Sequence, residues 1–122
     1  MGLLRAGRLD RRIRLERDGL PVHDGYQNLP GGPVLLGEVW AQYLPSPGRE
    51  KFANAENAAT APVLFRIRWT KVLDPSAADG LNPKDRVRFP ATDEGRIYDI
   101  LSATEIGRRE GIEIAAIGRA DT

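Results

Sequence analysis

Residues 63–70 alternate without a break. Val63, Phe65, Ile67 and Trp69 fall on one face of an extended strand, and Leu64, Arg66, Arg68 and Thr70 fall on the other. Such a strand needs a second layer, or a sheet closed on itself, to cover its apolar face. Its outer face is basic. No nucleophile, metal-ligand cluster or phosphate loop adjoins it. The strand therefore points to assembly and surface recognition, and away from catalysis.

The same period recurs along the chain. Residues 12–16 turn Ile13 and Leu15 inward and their charges outward. Residues 34–44 read as a second strand, in which Gly37 marks a bulge or a break. Residues 85–89, 96–103 and 111–117 are three more, linked by a hairpin-type turn at Asp93-Glu94-Gly95 and another turn over 105–110. Between 18 and 33 the glycines and prolines show no apolar period, which predicts a long loop or a splayed hairpin tip. Asp74-Pro75 and Asp79-Gly80 punctuate a loop over 73–83. Residues 46–61 are alanine-rich, with Phe52 as their large apolar anchor. They predict a long loop or a short helix, marginal alone and suited to ordering on a partner.

About six strands in so short a chain must curl into a barrel or fold into a small sandwich. The chain reads as a single all-β domain over 1–122, with an arm at 1–10 and a polar tail at 118–122. At 122 residues it can bury a modest core without covalent staples. It has no cysteine, hence neither disulfides nor a thiolate metal site. With 18 basic and 17 acidic residues it lacks the strong positive balance of a general nucleic-acid binder. No apolar run approaches a membrane span, and the N-terminus lacks the apolar segment of a signal peptide. Gly2 suggests myristoylation, but Ala6 stands where that motif requires Ser or Thr.

The candidate chemistry is sparse. His23 is the single histidine, lies in the glycine/proline-rich stretch and adjoins Asp24. Neither Ser46 nor Ser76 sits on a strand-to-helix elbow. One histidine without cysteine does not make a structural zinc site. Asp74, Asp79, Asp93 and Glu94 fall in turns, and residues 74–79 lack the alternating oxygen ligands of a calcium loop. The expectation is no catalytic residue, no metal and no cofactor.

The arginines form a real cluster. Arg5, Arg8, Arg11, Arg12, Arg14 and Arg17 crowd the first seventeen residues, opposed there by Asp10 and Glu16. Three readings compete: an arm for DNA phosphates, a solvated face whose arginines pair with carboxylates elsewhere, and an arginine-rich protein interface. The last is favoured, because arginine is preferred where charge is partly buried. Arg66 and Arg68 on the outer face of the 63–70 strand join this set. Phe52 is as suited to a partner as to the core. The expected core is Ile13, Leu15, Trp40, Phe65, Ile67, Trp69, Val87, Ile100 and Ile114.

Five ordered segments resemble one family: residues 6–15; Val39-Trp40-Ala41 followed by Gly48-Arg49-Glu50; residues 65–69; Asp85-Arg86-Val87; and Tyr98-Asp99-Ile100 followed by 108–114. Together they are similar to the head–tail joining proteins of tailed bacteriophages, the head-closure or stopper proteins. The resemblance implies a small six-stranded β-barrel with a long loop. It implies assembly as a six- or twelve-fold ring in the virion neck, formed in the cytoplasm of a bacterial host. The implied partners are copies of itself, the portal-adaptor ring, the tail terminator or tail tube protein, and packaged double-stranded DNA in the channel; no membrane is involved. Arg49 and Glu50 then mark the start of a loop that reaches a neighbour or lines the channel. The alternative is a β-barrel nucleic-acid-binding module with Arg66, Arg68 and aromatics as a stacking platform. Against it, Phe65 and Trp69 share the face opposite the arginines.

Overall fold

The structure is a computed structural model and describes residues 6–23, 25–29, 31–45 and 62–119. Eight strands are present among them: β1 (Arg11–Asp18), β2 (Val22–His23), β3 (Asn28–Leu29), β4 (Pro33–Pro45), β5 (Val63–Arg68), β6 (Arg86–Phe89), β7 (Arg96–Ile106) and β8 (Gly111–Gly118). Six close into an antiparallel barrel in the order β1-β4-β5-β8-β7-β6, with β6 pairing back onto β1. The other two, β2 and β3, form a small ribbon between β1 and β4. The stretch expected as a loop or splayed tip is thus a hairpin arm. One turn of 3-10 helix, Ala6–Arg8, precedes β1, and Leu9 after it is buried.

Period-two alternation decides which side chains fill the barrel. Ile13 and Leu15 of β1, Phe65 and Ile67 of β5, Val87 of β6, Ile100 of β7, and Ile112 and Ile114 of β8 are all buried. At the mouth where β1 begins, Tyr43, Phe65, Phe89 and Tyr98 interlock, with ring centroids 5.4–5.7 Å apart. Offset and edge-on rings of this kind add to the burial term, and full burial of one such aromatic contributes about 1.5–3 kcal/mol. At the opposite mouth the loop after β5 closes the barrel with Leu73 and Leu81, both buried. That loop is clasped by Arg17, whose Nε and Nη2 donate to the two carboxylate oxygens of Asp85 at 2.7 and 2.9 Å. Asp85 is 1% exposed and also accepts from the Asn82 backbone N–H at 3.1 Å. The guanidinium of Arg17 is held charged above its ordinary range, chiefly by that hydrogen-bonded carboxylate.

One core expectation needs correction, and one is met at the edge of the core. Trp40 is on the outside of the barrel, 52% exposed. The reason is register: Leu15 faces Gly37 and Glu16 faces Leu35, so Leu36 is bulged out of the β1–β4 ladder. Beyond that bulge Val39, Ala41 and Tyr43 point inward, and Glu38, Trp40 and Gln42 outward. Trp69 lies one residue past the end of β5. It is half-buried against the core, with the guanidinium of Arg109 5.1 Å from its ring.

A basic and aromatic face as the candidate functional site

β1, β4 and β5 lie side by side, and their outward residues make one surface. Arg12 on β1 is directly opposite Trp40 on β4, and its guanidinium carbon sits 5.0 Å from the indole centroid. The same guanidinium donates from Nε to Glu38 at 2.9 Å. Arg14 approaches Glu38 at 3.5 Å and donates from Nη1 to Asp93 at 2.9 Å. The Glu38 carboxyl is held below its ordinary range, first by the hydrogen bond from Arg12. The Arg14 guanidinium is held above its own, first by Asp93.

Trp40 and Arg12 stand between two open clefts. One, of about 280 Å³, is also lined by Leu9, Glu38, Val39, Arg68 and Thr70. The other, of about 500 Å³, is lined by Asp10, Arg11, Tyr43, Phe89 and Pro90 and opens toward the aromatic mouth. Arg11 and Arg68, both exposed, form no ion pair among the described residues. The face thus combines a half-exposed tryptophan, a stacked arginine and two uncompensated arginines, the residue types most enriched where binding energy concentrates.

The arginines expected at an interface do not behave alike. Arg8 is exposed in the 3-10 turn, and Arg11, Arg12 and Arg68 belong to the face just described. Arg14 and Arg66 are engaged within the chain, Arg66 with Glu113 at 3.1 Å. Arg49, Glu50 and Phe52 lie outside the described residues, as does the loop or helix expected over 46–61. Phe65, expected inward on the face opposite the arginines, is fully buried, so the 63–70 strand presents arginines without that ring.

Sequence reasoning missed three features. Trp40 is the first; its flanks Glu38 and Gln42, of the same parity, were the available signal that it faces out. The second is the ion-pair seam between β1 and β6, where buried Glu16 meets Arg86 at 3.2 Å and Arg88 at 3.1 Å, and Arg86 also holds Asp18 at 2.7 Å. The third is the arm, whose Leu20 and Tyr26 are 88% and 95% exposed.

Among the described residues no group of His, Cys, Asp or Glu is placed to hold a metal ion, and no helix is long and apolar enough to cross a membrane. His23 is exposed on β2, and the Ser76 hydroxyl donates to Asp74 at 2.8 Å within a turn. Fold and face together define a small filled β-barrel whose chemistry is displayed on its outer wall. The family model described as phage head completion protein matches residues 4–118, and the chain belongs to that family. It is therefore a structural protein of the phage head, of the head–tail joining and closure kind. No curated protein matches the chain. The solution structure of protein SF1141 from Shigella flexneri 2a has the same fold, with a TM-score of 0.68 at 19% identity, over 98% of this chain and 100% of that one.

Proposed function

We propose that this barrel assembles as a ring in the virion neck, closing the DNA-filled head below the portal and its adaptor and presenting the surface on which the tail docks. The observation that carries this reading is the split between inside and outside. The interior is filled with buried side chains, whereas Arg12, Trp40 and Arg68 make an aromatic, basic outer face that nothing in the described chain covers. Rings need two different patches on each subunit that fit one another, and partly buried arginine is suited to such contacts. The ring is six- or twelve-fold, assembled in the cytoplasm of a bacterial host. Its partners are the portal-adaptor ring, the tail terminator or tail tube protein, and DNA in the channel. Arg49 and Glu50 are assigned by family resemblance to a loop that reaches a neighbour or lines the channel, and Phe52, a large aromatic in an alanine-rich stretch, to a partner contact.

Electron microscopy of particles assembled without this protein tests the reading. Filled heads that leak DNA and fail to join tails are expected. Complete tailed particles in its absence would overturn it.

A further inference from the structure

Among the described residues, the two most exposed large apolar side chains, Leu20 and Tyr26, belong to the hairpin arm. Leu20, Tyr26 and Leu29 along it, and Val34 and Leu35 at its root on β4, are between 38% and 95% exposed. Residues 19–37 contain no lysine, arginine or glutamate, in a chain that is 29% charged. An apolar, nearly charge-free projection on an otherwise arginine-studded barrel is the composition of a buried contact. The arm is also built. Gly19 N–H donates to the Gly32 carbonyl at 2.8 Å. A Cβ on Gly31 would lie 2.4 Å from the Leu20 carbonyl oxygen and 2.6 Å from Gly19. Two backbones approach at the base of the arm as closely as glycine alone permits, which aims the arm as a continuation of the β1–β4 ribbon.

Resting on the ring reading above, we propose that this arm docks into the cleft beside Trp40 on a second copy of the chain. Three observations select that occupant. The cleft is walled by Leu9, Val39 and Trp40, so its floor matches apolar side chains. Its rim carries Arg12, Arg68 and Glu38, a net positive set because Glu38 is taken up by Arg12, and the arm brings no lysine or arginine and one carboxylate, Asp24. Arm and cleft also belong to one ribbon: the arm leaves β1 at Asp18, and the cleft opens at Arg12, six residues or about 20 Å back along the strand. A ribbon cannot fold its own continuation back onto that surface, but a neighbour's arm can reach it. Joining two unlike patches in this way is a head-to-tail contact, which propagates until a ring closes.

The natural absence of cysteine allows a direct test. Leu20→Cys marks the arm and Thr70→Cys marks the cleft. Each is prepared alone and as an equimolar mixture, then treated with a short bis-maleimide over a concentration series, with native mass spectrometry of the untreated wild-type chain alongside. A covalent dimer in the mixture but in neither protein alone is expected, and Trp40→Ala is expected to raise the concentration needed by about tenfold or more. A dimer of Leu20→Cys alone would mean arm meeting arm and would overturn the proposal. Closed oligomers without arm-to-cleft cross-links would overturn it and leave the ring reading standing. Absence of any oligomer would count against both.

Discussion

Near the end of β1, Glu16 is 7% exposed and gripped by two arginines from β6, whereas near its start Arg12 is 41% exposed and lies over a half-exposed tryptophan. The same arginine–carboxylate chemistry serves two purposes along one strand. At the β1–β6 seam Arg14 is directly opposite Arg88, a like-charge pairing that is unfavourable by itself. Glu16 and Asp93 interleave and neutralise it, since Arg88 donates to Glu16 and to the Asp93 carbonyl, and Arg14 to the Asp93 carboxylate. Arginine there closes a barrel. At the β1–β4–β5 face, Glu38 is the one carboxylate shared by Arg12 and Arg14, and Arg11 and Arg68 have no ion-pair partner among the described residues. Arginine there is in part left unpaired among the described residues.

Substitution at the seam sharpens this contrast most. Glu16→Ala removes the anion that Arg86 and Arg88, with side chains 11% and 18% exposed, share from nearby positions on β6, leaving Arg86 with Asp18 and Arg88 with backbone carbonyls alone. Stranding partly buried charge in this way costs about 3–5 kcal/mol, read as a lowered midpoint in urea unfolding. Arg17→Met at the nearby clasp, which strips buried Asp85 of its bidentate donor, is expected to cost a similar amount. If Glu16→Ala were no worse than Arg12→Ala, the division between a closing seam and a presented face would fail.

The strands were legible because a half-buried strand repeats every two residues, and the inward positions of β1, β5, β6 and β8, and of β7 up to its own bulge after Ile100, follow from that period alone. Trp40 was harder to place, because the bulge at Leu36 resets the parity of β4 and leaves only the polar flanks Glu38 and Gln42 to mark its outward side. The pairs in the arm are two residues each, too short to alternate, so the stretch showed only its glycines and prolines. Leu73 and Leu81 plug the barrel from an irregular loop, where burial is a tertiary fact. The arginine cluster was visible as a count. Its division depends on contacts such as Arg86 with Glu16, 70 residues apart, which only the closed barrel brings together. For the candidate face, Arg12 and Arg68 were in view from the start, but the tryptophan that gives them an apolar centre was not.

The presented face should be nearly neutral for folding. Trp40→Ala and Arg68→Ala remove side chains on the outer wall and are expected to change unfolding stability by less than about 1 kcal/mol each. Their effect belongs in assembly, as native mass spectrometry of the variants would show. If Trp40→Ala unfolded the domain in urea at a much lower concentration than wild type, the indole would be acting as core, and the contrast with the seam would break.

The smallest expected effect lies at Glu38, where the face keeps its single shared anion. Hydrogen bonding from Arg12 favours the ionised carboxyl, so the folded-state pKa falls below the ordinary 4.5. A depressed carboxyl contributes stability that is fully present above its unfolded value and is lost as pH falls through the folded one. An NMR titration of the side-chain carboxyl should therefore give a midpoint below 4.5, and Arg12→Gln should move it back upward. Added salt should do the same in part, because the pair is exposed and screened. A midpoint indifferent to Arg12→Gln would mean that Arg12 spends its time over Trp40 rather than on Glu38. The face would then carry one more uncommitted arginine, and the separation between the two ends of β1 would be wider than the ion pairs imply.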